Sequence, residues 1–146
     1  MIITSPSFDD DAMIPKKFTC DGGGINPELQ IQNVPQGARS LALIVHDPDA
    51  PMQGGFTHWV VWNINPETTL IKEESVPPGS VEGRNSAGRI GYMGPCPPGG
   101  VHHYHFQLYA LNEMLDLAAT APLGEIQMQI DNHLITQADL VGLYER

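Results

Sequence analysis

The chain has 146 residues, of which 41% are hydrophobic and 16% are charged, and its formal net charge at pH 7 is −10. This length suits one domain with a full apolar core, so we expect a single domain over residues 1–146. Lys16 and Lys17 are the nearest approach to a basic cluster. Because an acidic chain repels phosphate backbones and anionic bilayers, the composition argues against nucleic-acid binding and stable membrane association.

The N-terminal residues are acidic and lack the apolar stretch of a signal peptide, and the chain contains no run of 18 apolar residues. We therefore expect neither a signal peptide nor a membrane span, and a cytoplasmic location follows as the default. The two cysteines are Cys20 and Cys96. In a reducing compartment we do not expect a disulfide between them.

Glycine- and proline-rich segments divide the chain into short β-rich runs, which is typical of a mainly β, antiparallel domain with ordered loops. Residues 40–46 (SLALIVH) predict a strand buried on both faces, and residues 58–64 (HWVVWNI) predict a second strand. Residues 101–111 predict a third, longer strand, and residues 139–144 predict the last one. Residues 122–134 carry apolar side chains at helical spacing and predict one helix near the C-terminus.

Strand alternation places a polar group at one end of each apolar stripe. The side chains expected to share a face are, strand by strand, Leu41, Leu43, Val45 and Asp47; His58, Val60, Trp62 and Ile64; and His102, Tyr104, Phe106, Leu108 and Ala110. If the three strands are neighbours, Asp47, His58, His102 and Tyr104 meet at the rim of one core. Periodicity therefore predicts a polar pocket at that rim.

His103 and His105 form an H-x-H pair of the kind that begins many strand-borne metal sites. No further ligand follows at a matching spacing, and alternation turns both histidines away from the apolar face. A zinc site on Cys20, Cys96 and histidines would lack a C-x-x-C pair. The chain also lacks both glycine-rich nucleotide-binding motifs. We therefore predict no metal site and no cofactor.

Cys96 with His102 is the pairing from which a thiolate catalyst could be built. Cys96 lies between Pro95 and Pro97, in a stiff turn that offers few backbone N–H groups for an oxyanion hole. No G-x-S-x-G motif is present. We interpret Cys96 as a packing residue and predict a protein that is not an enzyme. A hydrolase that uses Cys96 and His102, or a bound metal, is the alternative.

Three segments carry the remaining signal: DPDAP at 47–51, THW at 57–59, and GPCPPGGVHHY at 94–104. Prolines stiffen the first segment, although alone it also fits a turn with capping aspartates. Together the segments resemble the phosphatidylethanolamine-binding protein family, in particular its bacterial and archaeal Raf-kinase-inhibitor-like branch. The resemblance covers nearly the whole chain, from FTCDGGGINPEL at 18–29 to the terminal ADLVGLYER.

The resemblance implies a Greek-key fold of antiparallel β-sheets with a few peripheral helices, and a pocket for phosphate-like anions at one end of the main sheet. The ligand-binding residues that carry over by motif are Asp47, Asp49, His58, Gly94, Pro95, His102 and Tyr104. The family implies a non-enzymatic binding protein for a phosphate or phosphorylated headgroup, able to modulate a kinase or other partner protein. A protease or kinase inhibitor acting through a surface loop is a further alternative.

The prokaryotic branch implies two more features, a homodimer and two cysteines near the pocket, with a disulfide between Cys20 and Cys96 as a hypothesis. The chain departs from the animal members in two ways. It ends in a strand-like segment rather than a further helix, and His103 stands where an Arg is common. Both departures argue against control of a eukaryotic kinase.

The Asp47 carboxylate would repel an anion bound beside it. Three arrangements relieve this repulsion, and the sequence leaves all three open. Asp47 orients a histidine and favours its charged form, or a protonated ligand donates to Asp47, or Asp47 or Asp49 meets an ammonium group. From the histidines beside carboxylates we predict weak phosphate binding that improves below neutral pH.

Overall fold

The structure, a computed structural model that describes every residue from Met1 to Arg146, is built from nine β-strands and one α-helix. The strands are β1 (Ile2–Thr4), β2 (Ala12–Met13), β3 (Leu29–Gln32), β4 (Ser40–Asp47), β5 (Phe56–Ile64), β6 (Leu70–Ile71), β7 (Val81–Glu82), β8 (His102–Leu111) and β9 (Leu134–Tyr144). The helix α1 spans Leu123–His133, and a short 3-10 helix spans Lys16–Phe18.

Two sheets pack against each other, a three-stranded sheet in the order β1-β3-β6 and a six-stranded sheet in the order β2-β9-β8-β4-β5-β7. Every strand pair is antiparallel except β2 with β9. The predicted mainly β, antiparallel fold with one helix near the C-terminus is confirmed. The three long predicted strands are neighbours, because β4 lies between β5 and β8.

The central strand β4 is buried on both faces, as its unbroken apolar sequence predicts. Leu41, Leu43 and Val45 point into the core between the two sheets. Ala42 and Ile44 point into a second core beneath α1. The strand runs one residue beyond the predicted segment and ends at Asp47.

The helix α1 closes the second core with Ile126 and Ile130, both fully buried. Its observed span lies within one residue of the predicted span at each end, because the apolar spacing that predicts it is also what buries it. The chain continues from α1 directly into β9, which pairs with β8 from Leu134 to Tyr144. The sequence predicts only residues 139–144 of β9, since the side chains of its first half are exposed or only partly buried.

No helix of this chain is both long and apolar enough to cross a bilayer.

Alternation fails on β5, which carries two irregularities in its pairing with β4. Thr57 pairs with His46 and Trp59 pairs with Val45, so His58 is the extra residue of a bulge. The predicted shared face of His58, Val60, Trp62 and Ile64 is therefore wrong. The core between the sheets contains Trp59, Val61 and Ile64, and the core beneath α1 contains Val60 and Trp62.

The second irregularity of β5 falls near Asn63, whose positive φ of 55° reverses the direction of the side chains that follow. By contrast, the predicted face of β8 is confirmed. Tyr104, Phe106, Leu108 and Ala110 all lie in the core between the sheets, and His102 is buried at the same end of the strand.

A disulfide joins Cys20 to Cys96, which are 76 positions apart in sequence and have their Cα atoms 5.4 Å apart. The expectation that the two cysteines stay reduced is therefore wrong for this structure, and the disulfide hypothesis drawn from the family resemblance is the one that it supports. The backbone N–H of Cys20 also donates to the carbonyl of Pro95, at 3.1 Å. The turn after the 3-10 helix is thereby fixed to the proline-rich segment before β8.

We expect the double substitution Cys20→Ser with Cys96→Ser to lower the free energy of unfolding by about 4 kcal/mol, because the open loop gains conformational entropy in the unfolded chain. Urea titration of the oxidised wild type and the variant measures the difference. The wild type in reducing agent should match the variant, and equal midpoints for the oxidised wild type and the variant would contradict the prediction.

Candidate functional site

A cavity of about 220 Å³ lies at one end of the six-stranded sheet. Antiparallel neighbours bring the end of β4 and the starts of β5 and β8 to the same edge of the sheet, so their terminal side chains meet there. The residues that line the cavity are Asp47, Ala50, Pro51, Met52, Phe56, His58, Met93, Gly94, Cys96, Pro97, Pro98, His102 and Tyr104. Polar side chains form the floor of the cavity, and mostly apolar side chains form its wall.

Most of the sequence-predicted site residues meet here. Those that line the cavity are Asp47, His58, Gly94, His102 and Tyr104. Asp49 and Pro95 do not line it, which corrects their predicted place. The carboxylate of Asp49 turns outward and accepts from the backbone N–H of His103 at 2.8 Å and from its ring Nδ1 at 2.7 Å. The carbonyl of Pro95 accepts the N–H of Cys20.

Asp47 and His102 form a buried hydrogen-bonded pair on the floor of the cavity. Asp47 is 2% exposed and His102 is 6% exposed. The Oδ2 atom of Asp47 lies 2.7 Å from Nδ1 of His102, and its Oδ1 atom accepts the N–H of Asp49 at 2.8 Å. Both oxygens of the carboxylate are therefore bonded within the protein, and the pair fixes the orientation of the His102 ring.

His58 reaches the floor because the β5 bulge turns it toward the cavity. Its ring Nδ1 donates to the carbonyl of Met93 at 2.7 Å, and the N–H of Met93 donates back to the carbonyl of His58 at 2.9 Å. Burial lowers the pKa of His58 below its usual value, and the bond to Met93 only partly opposes that shift. His58 is therefore neutral at pH 7.

Tyr104 stands between the two histidines, 5.2 Å from the His58 ring and 6.4 Å from the His102 ring between centroids. Burial raises the pKa of Tyr104, and the nearby Asp47 carboxylate raises it further. The hydroxyl therefore remains protonated throughout the physiological range. The Asp47 carboxylate acts on the hydroxyl by its charge and by a side-chain hydrogen bond, so Tyr104 is not an ionised nucleophile.

Two backbone donors complete the floor. Gly94 and Cys96 line the cavity, and neither backbone N–H has a hydrogen-bond acceptor in the protein. Gly94 is buried, and an unpaired buried N–H is costly unless a ligand or water satisfies it. Prolines at 95, 97 and 98 supply no N–H groups, so these two donors are the ones this segment offers.

The apolar wall is the part that the sequence reasoning missed. Its members are Ala50, Pro51, Met52, Phe56, Met93, Pro97 and Pro98. Met52 stands at the mouth with 52% of its surface exposed. Their positions in the sequence could have indicated them, because each of these residues lies within or beside one of the three motif segments. Alternation could not find them, since most belong to loops rather than strands.

The remaining histidines of β8 lie outside the cavity. His103 pairs with Asp49, and the Nδ1 atom of His105 lies 2.8 Å from the Asp139 carboxylate. No group of three or more His, Cys, Asp or Glu side chains is arranged to hold a metal ion. Cys96 is oxidised in the disulfide and has no thiol, which removes the nucleophile from the alternative Cys96–His102 hydrolase.

Sequence comparison defines the class of protein. The sequence profile of the family named phosphatidylethanolamine-binding protein matches residues 4–145. The chain belongs to this family, as its motifs predict. A UPF0098 protein of Pyrococcus abyssi is 46% identical over 154 residues, which cover 100% of this chain and 86% of the relative. A UPF0098 protein of Methanothermobacter thermautotrophicus is 45% identical, with 100% and 99% covered.

Two solved structures share the fold over almost the entire chain. The crystal structure of a phosphatidylethanolamine-binding protein homologue from Chlamydia trachomatis is 40% identical, with a TM-score of 0.94, and covers 99% of this chain and 97% of its own. That of Escherichia coli YbcL, described as a member of the mammalian family, is 30% identical with a TM-score of 0.93 and the same coverage. The two-sheet architecture is thus common to these relatives.

We expect Gly94→Ala to distort the cavity wall and to destabilise the fold by about 1–3 kcal/mol. A Cβ atom at this position would lie 2.8 Å from the carbonyl carbon of Thr19 and 3.0 Å from the nitrogen of Cys20, both backbone atoms that cannot rotate away. Gly99→Ala in the same loop is the matched control, because its Cβ would meet nothing within 4 Å. Thermal unfolding of both variants tests this, and equal loss of stability would contradict it.

His58 should titrate below 6.5 in the folded protein, because burial disfavours its charged form. The unfolded chain then binds a proton at a higher pH than the folded chain does. Neutral His58 therefore contributes stability above about pH 6.5 that is lost as the pH falls through the folded-state pKa. An NMR titration of the His58 ring, with the urea-unfolded chain as reference, measures this. A folded midpoint at or above the unfolded one would contradict it.

Proposed function

We propose that this protein is a non-enzymatic binding protein for small anions of the phosphate type, held in the cavity at the end of the six-stranded sheet. One observation carries the proposal. The residues that line one cavity include two buried histidines, a tyrosine between them, and two residues whose backbone N–H groups have no acceptor in the protein. Each N–H group can donate to an oxygen of the anion, and each neutral histidine can accept from a P–OH of a protonated phosphate.

The charge of the chain defines how such a ligand is recognised. A net charge of −10 gives no long-range attraction for an anion, so binding depends on short-range hydrogen bonds in the cavity. Asp47 is the apparent obstacle, yet both of its oxygens are occupied by His102 and by the N–H of Asp49. We infer that Asp47 orients His102 and keeps a proton on its Nδ1 atom.

A binding role also fits the groups that the cavity lacks. The sulfur of Cys96 is in a disulfide, and the tyrosine hydroxyl is held protonated by burial. Neither side chain is available as a nucleophile at neutral pH. The family name points to a phosphorylated ethanolamine headgroup as one candidate ligand. The homodimer, the cytoplasmic location and the modulation of a partner protein stay predictions.

We expect phosphate to bind at pH 6 with millimolar affinity and to bind more weakly at pH 8, because the protonated forms of phosphate, which can donate to the histidines, become scarcer as the pH rises. His102→Ala should reduce the affinity at least tenfold. Isothermal titration calorimetry or NMR shift mapping with inorganic phosphate measures both effects.

His105→Ala is the matched control for that experiment. It removes an imidazole from the same strand, but His105 faces away from the cavity and contacts Asp139. Phosphate affinity should be unchanged in this variant. Absence of phosphate binding to the wild type at pH 6, or equal loss in the two variants, would overturn the proposed site.

A further inference from the structure

The positions of the protons on the cavity floor follow from the hydrogen bonds. The carbonyl of Met93 can only accept, so the bond at 2.7 Å places a proton on Nδ1 of His58. The carboxylate of Asp47 likewise places a proton on Nδ1 of His102, at 2.7 Å. In the neutral form of each ring the other nitrogen, Nε2, therefore carries a lone pair and acts as an acceptor.

Neither Nε2 atom has a hydrogen-bond partner in the protein, and neither is a fully buried unsatisfied atom. Both histidines line the cavity, and we infer that their accessible Nε2 atoms face its interior. The floor is thus divided into two kinds of polar group. Nε2 of His58 and Nε2 of His102 accept, while the backbone N–H groups of Gly94 and Cys96 donate.

The oxygens of a fully deprotonated anion would be repelled by the lone pairs on Nε2 of the two histidines, unless a histidine first took up a proton. For His58 that step is unfavourable, because the residue is 6% exposed and burial disfavours its charged form. The charged and titratable groups that act on it are Asp47, His46 and His102. Asp47 favours protonation of His58, whereas the two histidines disfavour it.

We propose that the cavity is selective for the monoanion of a phosphomonoester over a phosphodiester, a specificity that rests on the proposed phosphate-binding function. A monoester monoanion has both kinds of group that the floor requires. Its unprotonated oxygens accept from the backbone N–H groups of Gly94 and Cys96, and its P–OH donates to a histidine Nε2. No proton has to be moved onto a buried ring.

A phosphodiester lacks the P–OH at neutral pH, so it can offer only acceptors to the two lone pairs. Monoesters lose their second proton near pH 6, and a substantial share of the monoanion is present between pH 6 and 7. The single organic substituent of a monoester can lie against Phe56, Met52 and Pro98 at the apolar wall. A diester must place a second substituent on the phosphate, in a cavity of about 220 Å³.

The test compares phenyl phosphate with methyl phenyl phosphate, which differ by one methyl ester and by the P–OH. Calorimetric titration of the oxidised wild type at pH 6.5, with inorganic phosphate as the reference ligand, should give at least tenfold weaker binding for the diester. Equal affinity for the two esters, while phosphate binds, would overturn this specificity and leave the phosphate site standing. Binding of none of the three would overturn the phosphate site and the specificity with it.

A substitution at His58 distinguishes selection by the Nε2 acceptor from selection by the size of the ligand. His58→Gln replaces an acceptor at Nε2 with an amide that can turn its N–H toward the ligand. The ratio of monoester to diester affinity should fall severalfold in this variant, because the diester gains a donor. A ratio equal to that of the wild type would show that size alone excludes the diester and would overturn the proton-based specificity. Because the wild-type comparison needs no substitution, poor folding of His58→Gln leaves the first test decisive.

Discussion

The burial of β4 on both faces is the constraint on which the rest of the structure depends. A strand with one core above it and another beneath it can present polar side chains to solvent only at its ends. At the end that Asp47 occupies, β5 and β8 also begin. Antiparallel pairing then brings polar side chains from three strands to one edge, above a core that holds their backbones still.

That rigidity is what allows a buried carboxylate in the site. Asp47 would be costly at 2% exposure without partners, yet His102 and the N–H of Asp49 satisfy both of its oxygens. The proline on each side of Asp49 and Ala50 stiffens the segment that presents these groups. The same pair that stabilises the carboxylate also fixes the proton on His102, so the packing of the floor determines the chemistry of the cavity.

The opposite wall of the cavity is held in a different way. The segment from Gly94 to Pro98 has little regular hydrogen bonding, and it is tied down by contacts with the turn around Cys20. Gly94 lies so close to the backbone of Thr19 that no side chain fits between them. The disulfide and the glycine therefore perform one task together. They hold the segment from Gly94 to Pro98 close to β5. The unpaired N–H groups of this segment and His58 therefore line the same cavity.

Much of this could be predicted from the sequence, because the long motif segments and the apolar stripes of β4 and β8 are local patterns. They predict the family, the mainly β fold, the central buried strand, the helix and the meeting of Asp47, His102 and Tyr104. The short strands of the smaller sheet carry too few residues for a periodic signal. Reasoning from cysteine usage alone missed the disulfide, because pairing over 76 positions depends on how distant loops approach.

His58 is the clearest example of a residue whose orientation the sequence alone does not predict correctly. Simple alternation placed it correctly at the cavity but for a wrong reason, since on a regular strand it would share the helix-side face with Val60 and Trp62. Only the bulge opposite Val45 and His46 turns it to the other side, and a bulge is a property of strand pairing. The sequence by itself determined which residues are present at the edge of the sheet. The tertiary structure decided which of them face the cavity, because register, bulges and the outward turn of Asp49 arise only when distant segments pack together.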